Sequence, residues 1–433
     1  MVDKLKILVT AIGSAGDVHP FLGVGRALKL RGHDVVVFSS GYFEQAALDA
    51  GLDFVPLGTS EDFLKVTNDP DLWHPTKAPR LILNSVVGDA LKPTYEKLVE
   101  AIEPGRTVLV SSTLGLVSRI VEDRHNVPAA TVHLAPAVFR SLYRQPRMGG
   151  PGLPDWAPRF LKRFFWGAAR VVIDRMAAPR VNELRKEVGL APVKDIFFGW
   201  WNSPRRVIGL FPEWYAAPQP DWPGQLRLTG FPLYDEGTSP EPPADVADYL
   251  AEGEPPVVFT PGSANQHGAA FLKAAVEACR IMNRRGMLLT QFSEQVPADL
   301  PEGVRHFKYI PFSQVLPRAA ALVYHGGVGT MAQALKAGIP HFVMPMAHDQ
   351  FDNLSRLKEL GVGDGLRVKK FTGQRLAKRL STLLTNQDIV GACKRLAEKF
   401  EGVDPLTETC ELIEELAGIS DPGAVEVRGN QLA

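Results

Sequence analysis

The run Tyr324-His325-Gly326-Gly327-Val328-Gly329-Thr330 carries the residue types that hold an anion. It follows the apolar stretch 319–323, which reads as a buried parallel strand. It leads into 331–338, which reads as a helix ended by Gly338. Glycine lets the backbone approach a ligand closely, and the free N–H groups and positive dipole end of a helix start face it. His325 adds a ring donor. A tight strand-to-helix turn also uses glycine, so this run alone decides little.

The next run adds a second chemistry. Residues 338–346 read as a strand with a proline near either end, and they run into His348-Asp349-Gln350-Phe351-Asp352-Asn353. In a parallel sheet that tip lies at the carboxyl edge beside the glycine turn, where such sheets bind ligands. Asp349 accepts hydrogen bonds and Gln350 both donates and accepts, the mixture that adjacent sugar hydroxyls need. Phosphate donors on one loop and sugar-reading groups on the next suggest a nucleotide sugar. Asp349 and Asp352 also suit the N-cap of a helix over 354–360, and one of them is expected to serve there.

These loops need strands and helices to hold them. In the first half, 6–12 reads as a strand, Gly13-Ser14-Ala15-Gly16-Asp17-Val18-His19 as a turn, 20–31 as a helix beginning at Pro20, and 33–39 as a strand. The turn is not GxGxxG, and the second strand ends Phe38-Ser39-Ser40 without an acid for a ribose, which argues against a dinucleotide site. Strand and helix patterns alternate onward to 134, and strands follow at 207–211 and 226–230. The proline-rich, acidic stretch 234–245 reads as a linker. A second alternation opens at 256–260, followed by Pro261-Gly262-Ser263. Repeated α/β units imply doubly wound parallel sheets. The expected division is 1–235, a linker 236–252, 253–417 with a last helix that could pack back on the first domain, and a flexible tail 418–433.

His325-Gly326-Gly327-Val328-Gly329-Thr330, Gln333, Gly338-Ile339-Pro340, Pro345 and Asp349-Gln350-Phe351-Asp352-Asn353 together resemble the donor signature of the family 1 glycosyltransferases. Within that family the sequence is similar to the bacterial branch holding the rhamnosyltransferase of rhamnolipid synthesis and the sterol and antibiotic glycosyltransferases. The resemblance spans about 4–416. It implies the α/β fold called GT-B: two Rossmann-like domains facing across a cleft, acceptor on the first and nucleotide sugar on the second. It also implies inversion at the anomeric carbon. Many members have Gly-His-x-x-Pro with histidine as base. Here Gly16-Asp17-Val18-His19-Pro20 puts Asp17 at the base position, with His19 as second candidate. The supporting aspartate of histidine-type members corresponds to Ser111-Ser112 here. Asp17 could instead cap the helix at Pro20.

On these assignments Asp17 takes the acceptor's proton. His325, Ser263 and the N–H groups of Gly327, Gly329 and Thr330 stabilise the leaving diphosphate, with Gly326 shaping the turn. Asp349 and Gln350 hold the sugar, and the base lies near 309–312, at Ile310. No Asp-x-Asp stands near these loops, so no metal and no cofactor are expected. Ser14, His133, Phe139 and Trp200 are placed at an apolar acceptor pocket, for a lipid, sterol-like or polyphenol alcohol. The donor is a UDP- or dTDP-hexose, glucose or rhamnose. The rival readings are a nucleotide-sugar epimerase of the same build and a non-catalytic helper.

The whole composition fits. A chain of 433 residues exceeds one usual core, 45% apolar and 22% charged residues are ordinary for a globular protein, and zero net charge gives no pointer to nucleic acid. Cys279, Cys393 and Cys410 form no CxxC and suit a reducing cytoplasm. Segment 139–187 breaks the α/β rhythm, being basic with interleaved Phe160, Phe164, Phe165 and Trp166. The favoured reading is a solvated helix with its aromatics packed inward. The alternative is peripheral contact with the inner face of an anionic membrane.

Overall fold

The computed structural model describes residues 4–73, 77–86, 88, 90–150, 152–234, 241–262 and 268–418. Ser263, part of the expected linker (236–240) and the tail from 419 lie outside the described residues. Seven strands, β1 (Lys6–Thr10), β2 (Asp34–Ser39), β3 (Asp53–Pro56), β4 (Thr107–Ser112), β5 (Ala129–His133), β6 (Arg206–Gly209) and β7 (Leu226–Leu228), form one parallel sheet of order β3-β2-β1-β4-β5-β6-β7. Six more, β8 (Val257–Thr260), β9 (Gly286–Leu289), β10 (Val304–Phe307), β11 (Ala321–Tyr324), β12 (His341–Val343) and β13 (Gly363–Gly365), form a second parallel sheet, β10-β9-β8-β11-β12-β13. The central strands are unbroken apolar runs because helices cover both faces.

The helices are α1 (Ala15–Leu30), α2 (Glu44–Asp49), α3 (Ser60–Thr67), α4 (Ala78–Val86), α5 (Leu91–Glu100), α6 (Leu116–His125), α7 (Arg159–Glu187), α8 (Ala244–Ala251), α9 (Ala269–Met282), α10 (Phe312–Val315), α11 (Val328–Ala337), α12 (Gln350–Glu359), α13 (Gly373–Thr385), α14 (Gln387–Ala397) and α15 (Pro405–Glu414). In each sheet the strand order reverses at one pair, β1/β4 and β8/β11. A crevice opens beyond the carboxyl ends of such a pair. The first turn of α1, which follows β1, carries Asp17, and the turn after β11 carries His325, so both runs singled out in the sequence stand at these reversal points.

Several local expectations are corrected. Helix α1 begins at Ala15, five residues before Pro20, because Ser14 and Asp17 close a capping box. Pro20 therefore lies inside the helix and leaves the Gly16 carbonyl without its usual partner. Residues 244–251 of the expected linker are helix α8, which buries Val246, Tyr249 and Leu250; the Tyr249 hydroxyl donates to the carbonyls of Gly286 and Gly303 at 2.8 and 2.9 Å. Helices α3 and α4 had no counterpart in the sequence reading. Segment 139–187 does not turn all its aromatics inward: Phe160 and Phe164 point to solvent. Among the described residues no helix is long and apolar enough to cross a membrane.

Among the described residues the halves meet at α15 and at α12. Helix α15 crosses back to the first sheet, where Cys410, Ile413 and Leu416 pack with Leu5, Ile7 and Val35. Its Glu414 accepts from Arg31 Nε at 2.6 Å and lies 2.8 Å from His33 Nε2. The second clasp lies on α12. Arg144 pairs with Glu359 at 2.9 Å, the Arg147 N–H donates to Asp352 at 3.1 Å, and Arg356 donates to the Tyr215 carbonyl at 3.3 Å. Asp352 and Arg356, 2.6 Å apart, are buried between the halves. Removing one partner of a buried pair leaves the other charge unmatched, at about 3–5 kcal/mol. Asp352→Ala is expected to lose stability on that scale in urea unfolding, whereas replacing both residues with apolar ones loses less.

Candidate active site

The glycine turn after β11 is built around a histidine ring. A Cβ on Gly327 would lie 2.6 Å from His325 Nε2, and one on Gly262 3.0 Å from Nδ1. Gly262, with φ +103°, stands in the turn after β8, so two adjacent strand ends leave a slot for the ring. Burial, with the charge of His348, lowers the His325 pKa to about 4, so the ring is neutral at pH 7. Its Nδ1 is buried and has no hydrogen-bond partner among the described residues. Gly327 is the N-cap of α11, whose first bond, from Met331 N–H to the Gly327 carbonyl, leaves the earlier N–H groups of Val328, Gly329 and Thr330 without helical partners. A Cβ on Gly329 would meet nothing within 4 Å, so this corner of the turn is open.

The loop between β12 and α12 is held from below. Gln350 Oε1 accepts from the N–H groups of Met346 and Ala347 at 2.8 and 3.1 Å, so its carbonyl positions the loop and its amide nitrogen is what remains for a ligand. The loop forces His348 to φ +57°, a conformation that costs energy for a residue with a Cβ and collects at functional sites. Asp349 precedes α12 and accepts from Asn353 Nδ2 at 2.9 Å. Burial raises its pKa to about 7, and the nearby charge of Asp17 adds to the rise.

Across the cleft, Asp17 reaches back within its own helix start. Its Oδ2 accepts from the Ser14 N–H at 2.8 Å and the Ser14 hydroxyl at 2.9 Å. Its Oδ1 makes no hydrogen bond among the described residues. Burial raises its pKa, opposed by the two Ser14 bonds and by His348. A Cβ on Gly13 would collide with this carboxylate at 2.5 Å. His19 lies two residues further along the helix, a spacing that turns its side chain to a different face, against Phe43 with ring centroids 6.1 Å apart. Asp17 and His348 each feel the other's charge, and the His348 ring also donates to the Leu72 backbone carbonyl. The structure thus brings Asp17, His325, His348 and Asp349 together from both halves.

Other sequence candidates sit elsewhere. His133 is fully buried, with Nδ1 3.0 Å from Thr113 and Nε2 2.8 Å from Asn202. Phe139 packs on Trp222 at 4.9 Å inside the core. Trp200 donates to Asp123 at 3.0 Å and lies under Arg119 and Arg185. His133 and Phe139 are thus enclosed by neighbours of their own, whereas Trp200 is half-buried. Ile310 turns its side chain into the core, leaving its backbone and the half-exposed Tyr309 ring beside β10. Among the described residues no group of His, Cys, Asp or Glu is arranged to hold a metal ion.

Two residues of the site lacked a sequence assignment. Asn353 donates to the Gly326 carbonyl and to Asp349, both at 2.9 Å, and accepts from the Tyr215 hydroxyl at 2.7 Å. His348 is the other. Asn353 stands one helical turn after Asp349, a spacing readable in sequence; Tyr215, from the other half, carries no such signal.

Comparison with known proteins bears on the family and the fold. Residues 7–118 match the model of the glycosyltransferase family 28 N-terminal domain, and 287–416 that of the erythromycin biosynthesis protein CIII-like C-terminal domain. The chain is 28% identical over 426 residues to O-mycaminosyltylonolide 6-deoxyallosyltransferase of Streptomyces fradiae, covering 95% of this chain and 98% of that protein. It is 25% identical to sterol 3-beta-glucosyltransferase of Saccharomyces cerevisiae, covering 92% of this chain and 34% of that protein. The solved structure of the spinosyn rhamnosyltransferase complexed with thymidine diphosphate superposes with a TM-score of 0.67 at 17% identity, covering 94% of this chain and 100% of that chain.

Two outcomes follow from the ring slot and the buried carboxyl. Gly327→Ala should weaken nucleoside diphosphate binding at least tenfold in calorimetric titration and cost about 1–3 kcal/mol of stability by overpacking, whereas Gly329→Ala leaves stability unchanged. Asp349 keeps its proton in the folded chain up to about pH 7 but loses it near pH 4 when unfolded. The folded state therefore binds more protons in that window, and this group's contribution to stability falls as pH rises through it. Urea unfolding of Asp349→Asn between pH 4 and 7 should lack that part of the fall.

Proposed function

This protein belongs to the family 1 glycosyltransferases, as a GT-B enzyme of the antibiotic and sterol type, and on that premise we propose that it moves a hexose from a UDP- or dTDP-sugar to a hydroxyl of a hydrophobic acceptor, with inversion and without a metal ion. The observation that carries this reading is the meeting of Asp17 with the His348–Asp349 loop across the two strand-order reversals, beside His325.

The donor's diphosphate lies at the start of α11, taking hydrogen bonds from His325 and the open N–H groups of Gly329 and Thr330. A thymidine diphosphate in the spinosyn rhamnosyltransferase structure supports a nucleotide of that class. Asp349 and the Gln350 amide hold the sugar hydroxyls. The acceptor oxygen attacks the anomeric carbon as the bond to the diphosphate breaks, and its proton passes to Asp17 Oδ1. Oδ2 stays on Ser14 throughout, which fixes the carboxylate's direction. A carboxylate whose pKa is raised by burial accepts that proton better than a solvated one. Charge on the leaving diphosphate is met by preorganised donors, a term worth several kcal/mol in such sites. The acceptor is a lipid, sterol-like or polyphenol alcohol entering on the side of the first sheet; glucose and rhamnose are the sugars of choice.

Incubation with UDP- and dTDP-hexoses and a panel of hydrophobic alcohols in the presence of a chelator is expected to give glycosides detectable by mass. Donor conversion without acceptor would instead indicate an epimerase. Asp17→Asn keeps an oxygen for the Ser14 cap, so donor affinity should hold while turnover falls about 10²–10⁴-fold; unchanged turnover removes Asp17 from the reaction.

A further inference from the structure

One face of the first half has no part in the transfer chemistry. Trp156, just ahead of α7, is 84% exposed, and Phe160 and Phe164, at successive intervals of four residues, are 69% and 79% exposed. Val171 returns to the same side of the helix three turns after Phe160, and Val172 and Met176 are exposed further round it. Large aromatic side chains are seldom left this open on a chain that meets only water, and in contiguous array they mark a contact surface.

Ahead of the helix the exposed Asp155, next to Trp156, is paired with Arg147 at 3.1 Å, and along the helix the charges beside the stripe have one sign. Arg159, Arg163, Arg170 and Arg175 are exposed, and between 159 and 176 no acidic side chain is. The acid in that span, Asp174, turns inward and accepts from the N–H groups of Asp195 and Ile196 at 2.8 and 3.0 Å. Lys162 is also turned inward, donating to the carbonyls of Leu142, Tyr143 and Asp155 at 3.2, 3.3 and 2.6 Å, which pins the helix start. The face is therefore rigid, about 25 Å long at 1.5 Å per residue, apolar along its middle and cationic at its side.

We propose that this face docks on an anionic lipid surface. The helix lies in the plane of the headgroups, Trp156, Phe160 and Phe164 enter the acyl boundary, and the arginines reach the phosphates on their flexible stems. Charge decides between occupants. A second copy would set arginines against arginines, which disfavours pairing, whereas a bilayer bearing phosphatidylglycerol supplies the opposite sign along the whole length. The docked face adjoins the cleft through segment 141–155, whose Arg144 and Arg147 bind α12, the helix that begins at Gln350. The surface stands apart from the transfer reaction, so the two can fail separately.

The test is co-sedimentation of the full chain with unilamellar vesicles of phosphatidylcholine, with and without about one-third phosphatidylglycerol, at low and 1 M salt. Binding is expected with phosphatidylglycerol, lost in high salt, and weaker by tenfold or more in Phe160→Ser/Phe164→Ser and in Arg163→Glu/Arg170→Glu. Circular dichroism melting and turnover of a water-soluble acceptor should be unchanged in both variants. Equal binding to neutral vesicles, no binding to either, or variants that bind like the unaltered protein overturn the proposal. So does a dimer in sedimentation velocity that Phe164→Ser dissolves. Vesicle binding without any sugar transfer would reject the enzymatic reading and leave this one standing.

Discussion

The buried amide of Asn353 is the constraint on which the site depends. It is fully enclosed, and its three bonds run to the Gly326 carbonyl, to Asp349 and to Tyr215 of the other half. A buried amide must find partners or cost about 1–3 kcal/mol for each orphaned group. Satisfying it fixes the glycine turn, orients the carboxyl on the next loop and ties the second half of the chain to the first. The ion pair of Asp352 and Arg356 lies on the same helix and reinforces the tie. The glycine turn is thus not free to choose its shape independently of the other half.

Around that anchor, burial sets the chemistry. Enclosure keeps His325 neutral and so makes it a hydrogen-bond partner, not a fixed cation. The same enclosure raises both Asp17 and Asp349, whose charges act on each other. His348, held at a positive φ, belongs to the loop before α12 yet feels the carboxylate of Asp17 in the other half. A proton taken up by Asp17 would therefore change the field at that loop. Helix α15 and the clasp on α12 hold the halves in register for this coupling.

Much of the architecture was legible because it rests on local pattern. Apolar runs such as 257–260 and 321–324 become central strands, and Gly338, with φ +70°, closes α11 as its position after the periodic run implied. Pro20 is a strong N-terminal signal, yet the weaker Ser14-x-x-Asp17 box sets the actual start of helix α1. Helix α8 was hidden by the prolines and acids just before it, and its Tyr249 is buried by partners far along the chain. The site divided the same way. Motif residues on one loop were readable, whereas the role of His133 was not: a histidine after an apolar strand looks alike whether it lines a pocket or bonds Thr113 and Asn202 inside. Tyr215 and the outward turn of Phe160 and Phe164 depend on tertiary contacts that no spacing encodes.

The central claim is that the turn after β11 grips a diphosphate through a ring slotted between two glycines. A crystal structure of the protein with dTDP or UDP tests it most directly. Phosphate oxygens are expected within hydrogen-bond distance of His325 Nδ1 and of the N–H groups of Gly329 and Thr330, with the diphosphate facing Asp17. Nucleotide bound at the β1 turn instead, or a diphosphate that leaves His325 untouched, would contradict it.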